Sequence, residues 1–269
     1  MKHIFAISAY GESPYIEECI RSLFAQEEKS EVILCTSTPS PYLEKITAKY
    51  GIPCYVREGE SSLNDDWNYC IRCAASLGAD LVTVAHQDDL YRSSYAKEVI
   101  HAVKKYENRV PVLLVFTGAG NIKATGEPVS GTAEKVKKVL RVFLKLSLFN
   151  RSVFFKLLSL SFGNPVPCPT CTYHLRMTGE PVFHSQSRFV IDWETLLELS
   201  GKKGRIVCVE KPLVDIRIHS GAESAREAGN GGRRKEEEKV LRKLHTAPVA
   251  ALIMHFYRHA QDVYLRDSR

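Results

Sequence analysis

Two neighbouring carboxylates, Asp88 and Asp89, stand in the stretch Ala85-His86-Gln87-Asp88-Asp89-Leu90-Tyr91, directly after the run Asp80-Leu81-Val82-Thr83-Val84. Adjacent carboxylates at the end of a buried strand repel each other and stay hydrated unless a cation neutralises them. A divalent metal holding a phosphorylated ligand does this, because hard oxygen ligands suit magnesium or manganese. Carboxyl ends of strands are also where open α/β sheets bind ligands. The same residues equally describe a solvated turn, and taken alone they do not choose between the two.

The elements that must carry this turn can be read in order. Ile4 to Ser8 is a first strand, followed by the loop Ala9-Tyr10-Gly11-Glu12. Ser13 reads as a helix cap with Pro14 behind it, and Ile16, Ile20, Leu23 and Phe24 recur at helical spacing. Val32–Cys35 is a second strand and Pro41 to Tyr50 a helix stopped by Gly51. Pro53–Val56 is a third strand, and a helix with acidic residues in its first turn opens at Asn64-Asp65-Asp66-Trp67. Leu81–Ala85, helix Ser93–Tyr106 and strand Val110–Phe116 complete the alternation. Five strands alternating with four helices over residues 1–117 predict an α/β fold with a doubly wound, mostly parallel sheet flanked by helices.

The rhythm changes after residue 117. Residues 134–160 interleave Lys135, Lys137, Lys138, Arg141, Lys145, Arg151 and Lys156 with leucine, valine and phenylalanine, and no acidic residue occurs between Lys135 and Gly179. Two readings are open: a helix pair packed on the sheet with a solvated basic face, or a basic amphipathic surface lying on anionic lipid. A proline-rich loop, Gly163 to Thr170, is either a pocket wall or a connector. A helix opens at Val190-Ile191-Asp192-Trp193-Glu194, and Arg205–Val209 and Leu213–His219 read as two strands. Ser220 to Gly232 reads as a mobile segment or lid. It leads to a charged helix from Arg233 and a last helix from Pro248 to about Arg266.

With 269 residues, 44% hydrophobic and 25% charged, the chain has the composition of a soluble globular protein. The formal net charge of +6 favours an anionic partner without naming one. Met1 to Ser8 is too short an apolar run for a signal peptide, and no segment reaches the roughly 20 apolar residues that span a bilayer. The expectation is a cytoplasmic protein, at most attached to the membrane face. Eight cysteines do not meet the usual zinc spacings despite Cys70-Ile71-Arg72-Cys73 and Cys168-Pro169-Thr170-Cys171, so reduced thiols are expected. Cys19, Cys35, Cys54 and Cys208 are expected to be small core residues.

Five pieces in order resemble family-2 glycosyltransferases with the GT-A, nucleotide-diphospho-sugar transferase fold: Ser13 to Leu23, Trp67-Asn68, His86-Gln87-Asp88-Asp89, Ile191-Asp192-Trp193-Glu194 and Arg217-Ile218-His219-Ser220. The resemblance covers roughly residues 2–220. It implies a GT-A domain over 1–222, with a nucleotide-binding half (1–117) and an acceptor half (118–222) holding the basic insertion 134–160. Residues 223–269 would be a C-terminal helical extension, a mobile segment followed by helices. It also implies an inverting, hexosyltransferase-type enzyme that uses manganese or magnesium. The donor would be a nucleotide-sugar, a UDP-sugar by preference, and the acceptor a surface glycan or lipid-linked sugar, with no nucleic acid involved.

By the same resemblance Asp88 and Asp89 bind the metal and the donor diphosphate, with His219 beside them. Tyr10 and Glu12 wrap the base and ribose, Asn64 and Asn68 fall near the donor, and Asp192 is the general base. One such carboxylate suffices, since the metal stabilises the leaving diphosphate. Plain alternatives exist for several: helix capping for Asn64, surface polarity for Asn68, a dipole-satisfying helix start for Asp192, a structural role for His219. The chain departs from the family in two places. His86 stands where the acidic motif Asp-x-Asp-Asp has its first aspartate, and Thr36-Ser37 stands where an Asp-Asp often holds the uracil. The rivals are a nucleotidyltransferase or sugar-nucleotide-binding protein of the same fold, and a non-enzymatic module docking through its basic helices.

Overall fold

The computed structural model describes residues 1–129, 133–219, 221 and 232–256. Its strands are β1 (His3–Ala9), β2 (Glu31–Thr36), β3 (Cys54–Val56), β4 (Leu81–His86), β5 (Leu90–Tyr91), β6 (Val112–Lys123), β7 (Pro128–Val129), β8 (Cys171–His174) and β9 (Arg205–Ile218). The helices are α1 (Ile16–Phe24), α2 (Pro41–Tyr50), α3 (Leu63–Ser76), α4 (Tyr95–Lys104), α5 (Ala133–Leu140), α6 (Val142–Lys145), α7 (Val153–Leu160), α8 (Leu175–Thr178), α9 (Ile191–Gly201) and α10 (Gly232–Leu244). A further helical stretch runs over residues 247–256.

One sheet runs in the order β3-β2-β1-β4-β8-β6-β9-β5, with β7 on β6. The strands β1, β2, β3 and β4 are parallel, and β6 is parallel to β9 over most of its length. Alternation along β1 shows why helices cover both faces. Ile4 and Ala6 enter the core shared with α3, α7, α9 and α10, whereas Phe5, Ile7 and Ala9 enter the core under α1, α2 and α4. All five are buried.

The doubly wound expectation over residues 1–117 meets one change: β6 does not neighbour β4. The antiparallel β8, which follows the proline-rich loop and which the sequence pattern assigns to no element, sits between them. Its four residues are too few for a visible period. The two strands expected at 205–219 are one, β9, whose register against β6 slips at Thr117–Ala119. Gly118 permits this, because a Cβ there would lie 2.6 Å from the Glu210 carbonyl oxygen. The expected helix pair at 134–160 is three short helices. Cys54 is exposed and Cys208 half-buried, against the expectation of core positions. The segment expected to be mobile lies outside the described residues apart from Gly221 and Gly232, as does the last helix beyond 256.

Buried His3 ties β1 across the sheet, with Nδ1 2.8 Å from Ser30 Oγ and Nε2 2.9 Å from Thr83 Oγ1. Burial pushes its pKa down from 6.5 to about 3. Between those values the unfolded chain binds a proton that the folded chain refuses. His3 therefore costs nothing above pH 6.5 and destabilises progressively as the pH falls towards 3, with a slope approaching about 1.4 kcal/mol per pH unit. Urea titrations across this window should show that slope, and His3→Gln should flatten it. An unchanged slope in the variant would assign the acid sensitivity elsewhere.

Candidate active site

The turn after β4 is held from four sides. Gln87 reaches the β1 loop, where its Oε1 accepts from Tyr10 N (3.1 Å) and its Nε2 donates to Tyr10 O (2.9 Å). Gly11, at φ 60°, donates from its N–H to Thr38 Oγ1 (2.8 Å), which stitches the same loop to the end of β2. Ser13, expected to cap α1, instead donates its hydroxyl to Asp88 Oδ1, and α1 begins at Ile16. His219 Nε2 lies 3.1 Å from Asp88 Oδ2. One carboxylate thus gathers a hydroxyl from the β1 side and an imidazole from the end of β9.

Arg217 carries this arrangement, and its place in the site was not expected. Its buried guanidinium donates from Nε to Asp88 O (3.0 Å), from one terminal nitrogen to Ala124 O (3.0 Å) and from the other to Glu18 Oε2 (2.7 Å). It also lies 4.4 Å from the centroid of the Tyr15 ring, against which His219 packs at 4.9 Å. A signal was available: Asp215, Arg217 and His219 alternate along one strand, so three ionisable residues share one face.

Asp89 turns away from Asp88. It is buried, and its Oδ1 accepts the Arg217 backbone N–H (3.0 Å). Burial raises its carboxyl to about 7, with the Arg217 N–H pulling the other way and the Asp88 charge adding to the rise. His86 stacks on Trp67 with ring centroids 5.4 Å apart, and its Nε2 is shut in without a hydrogen-bond partner. Burial lowers that imidazole to about 4, so it is neutral at ordinary pH. Its Nδ1 is 3.9 Å from Asp89 Oδ2, too far for a hydrogen bond. Within the turn Asp89 is thus buried, and His86 is half-buried against Trp67.

The remaining expected residues fall into two groups. Tyr10 and Glu12 are exposed on the β1 loop, and the Tyr10 ring is free to stack. Asn64 and Asn68 lie on α3, capped by Ser62 and not by Asn64. Asn68 is buried and fully used: it accepts from Val182 N and Phe183 N and donates to Phe183 O (2.7 Å). Asn64, with its amide turned, donates to the carbonyls of Phe183 and Ser185. Both asparagines position the loop segment 182–185 and do not reach the Asp88 turn through these bonds. Where Thr36-Ser37 replaces the acidic pair, the nearby carboxylate is Asp66 of α3, which accepts from Ser37, Ser61 and Arg57.

Asp192 lies half-buried in the first turn of α9. Its Oδ2 accepts from Asn164 Nδ2 (2.8 Å), and its Oδ1 accepts from Trp193 N (2.8 Å). Burial raises its pKa, against the pull of Arg233 and the Trp193 N–H. Asn164, also not expected in the site, comes from the proline-rich loop, and its Oδ1 accepts from Val166 N (3.0 Å). That loop is anchored where Tyr91 and Tyr95 donate their hydroxyls to Pro169 O and Thr170 O. Burial pushes the Cys168 thiol up, and the charges of Asp192 and Asp89 add to the rise, so the loop lies within electrostatic reach of both carboxylates. A cavity of about 290 Å³ opens beside α9 and α10, but none of Asp88, His219 and Asp192 lines it.

The donor set can be tested for a divalent ion. Among the described residues no three His, Cys, Asp or Glu side chains converge on one point. Asp88 and His219 supply two ligands 3.1 Å apart. Two protein ligands fit magnesium or manganese when phosphate oxygens and water complete the shell. The residues therefore fit such an ion.

A mixed α/β core with a mostly parallel sheet and an acidic turn at the end of its fourth strand is the architecture of the GT-A glycosyltransferases. The chain belongs to glycosyl transferase family 2, whose model matches residues 5–177. Among solved structures it is similar to S. aureus TarS 1–349 in complex with UDP, at 14% identity and a TM-score of 0.61, covering 94% of this chain and 70% of that one. It is also similar to S. aureus TarS 1–349 (15% identity, TM-score 0.59, 81% of this chain and 60% of that one). A third likeness is to glucosyl-3-phosphoglycerate synthase from Mycobacterium tuberculosis in complex with phosphoglyceric acid, at 12% identity and a TM-score of 0.57. It covers 90% of this chain and 80% of that one. These likenesses are of fold, and the chain spans about 60% of the first TarS chain. No curated protein matches the chain.

Proposed function

We propose that this glycosyltransferase moves a sugar, with inversion, from a UDP-sugar to a hydroxyl of a glycan or lipid-linked acceptor. The observation that carries the reading is the convergence of Ser13 and His219 on Asp88 at the carboxyl ends of β1, β4 and β9. In open α/β sheets that edge is the ligand crevice. UDP and UDP-GlcNAc occupy two TarS structures of this fold, which supports uridine diphosphate as the donor's nucleotide. Residues 1–117 would then hold the nucleotide, with Tyr10 stacking and Glu12 reaching the ribose, and residues 118–222 would shape the acceptor side.

Asp88 and His219 would hold the magnesium or manganese ion, which supplies charge neutralisation for the departing diphosphate. Asp89, through the Arg217 N–H, and His86, through Trp67, tie the turn to its neighbours. Asp192 takes the proton from the acceptor hydroxyl as that oxygen bonds to the anomeric carbon. The bond from that carbon to the diphosphate oxygen breaks, and the nucleoside diphosphate leaves with the bonding electrons. Asn164 fixes the carboxylate's direction, and the raised pKa of Asp192 strengthens it as a base.

A thermal-shift panel of nucleotide sugars, with and without manganese, tests the reading. UDP-sugars should raise the melting temperature by several degrees only with the ion present, as ligand linkage requires. Asp88→Ala should abolish that response. No metal-dependent shift with any nucleotide would overturn the proposal.

A further inference from the structure

The helices of 133–160 invert the polarity expected of a solvated surface. Two of their cations are buried: Arg141, and Lys156, whose ammonium donates to Lys202 O (2.7 Å) and Gly204 O (2.9 Å). Leu144 and Leu160 enter the core, but many of the other large apolar side chains point outward. Of the fifteen exposed large hydrophobics among the described residues, eight lie in 136–162 and three more in 249–256. Val139, Leu148 and Phe154 are 72%, 62% and 67% exposed. A solvated helix pair would show the opposite distribution.

The outward residues are held, not loose. The Phe154 ring stands edge-on to Phe155 at 5.2 Å, and Phe155 packs against Phe149 (4.4 Å) and Phe143 (5.1 Å). The helical stretch 247–256 continues the face, because His245 bonds Ser161 O (2.7 Å) and packs on exposed Phe162 at 5.4 Å. The charge is one-sided. No acidic residue lies between Lys135 and Gly179. Glu210 from β9 neutralises Lys145, while Lys138 and Arg151 stay exposed. Outward aromatic and aliphatic groups beside the exposed cations Lys138 and Arg151 match a bilayer surface, with apolar groups at the acyl boundary and cations at the phosphates.

We propose that this face docks peripherally on an anionic lipid bilayer. No described helix is long and apolar enough to cross a membrane, so the contact is interfacial. It does not depend on the proposed sugar transfer.

The test is co-sedimentation of the full chain with vesicles of phosphatidylcholine alone, or with about a third phosphatidylglycerol, at low and raised salt. Binding should require phosphatidylglycerol and fall several-fold with salt. The double variant Leu148→Ser/Phe154→Ser should bind about tenfold or more weakly, since two buried apolar side chains are lost. Phe154→Trp should shift its emission to the blue with anionic vesicles only, against the constant signal of buried Trp67 and Trp193. Absent binding, equal binding to both vesicles, or an unweakened double variant would overturn the proposal. So would a concentration-dependent dimer that the double variant makes monomeric, because a second copy would then cover the face.

Discussion

Asp192→Asn is expected to lower kcat for sugar transfer by about 10²–10⁴-fold, the usual worth of a positioned general base, while leaving the metal-dependent nucleotide response in place. The amide cannot take a proton, but it keeps the shape of the carboxylate. It can satisfy only one of the two donors aimed at residue 192, Asn164 Nδ2 and Trp193 N–H. A modest stability loss of about 1–3 kcal/mol therefore accompanies the variant. The pH profile separates catalysis from structure. Burial raises the pKa of Asp192, so activity in the wild type should fall as the pH drops through a value above the ordinary carboxylate range. The residual activity of the variant should lack that limb. Equal kcat values, or a limb that survives the substitution, would remove Asp192 from the role of base.

Legibility followed physical range. The alternation over residues 1–117 is local information, and β1 to β4 with α1 to α4 lie where the periodicity puts them. What the periodicity does not carry is pairing between distant strands. Cys171–His174 is short, follows the proline-rich loop, and becomes a strand only because β4 and β6 leave a gap for it. In the site, residue types with obvious chemistry stood out and the residues that aim them did not. Asp88, Asp192 and His219 are readable because carboxylates and imidazoles at strand and helix ends suggest function. Asn164 and Ser13 read as a loop residue and a cap, and only the folded chain brings them onto Asp192 and Asp88. The pairing of Asp88 with Asp89 was misleading in one respect. Side chains of adjacent residues diverge, and here one faces the crevice while the other is buried under it.

Arg217 is the residue on which that divergence depends, and Arg217→Met should cost about 3–5 kcal/mol, because two hydrogen bonds from a buried charged donor, to the carbonyls of Asp88 and Ala124, are lost. For a chain of this size that corresponds to a fall in melting temperature of roughly 6–20 °C. Glu18 contributes less, since it is half-exposed and recovers water once its partner is gone. Arg217→Lys should recover only part of the loss: a lysine keeps the charge but cannot hold three acceptors in the planar fork of a guanidinium. The effect reaches function through geometry. Arg217 fixes the Asp88 carbonyl from its side chain and Asp89 from its own backbone N–H, and it lies two residues before His219 on the same face of β9. Even at temperatures where Arg217→Lys is fully folded, the Asp88–His219 pair should be displaced and the manganese-dependent nucleotide response weakened. A lysine variant with wild-type melting and wild-type metal response would show that the turn after β4 holds its shape without the guanidinium.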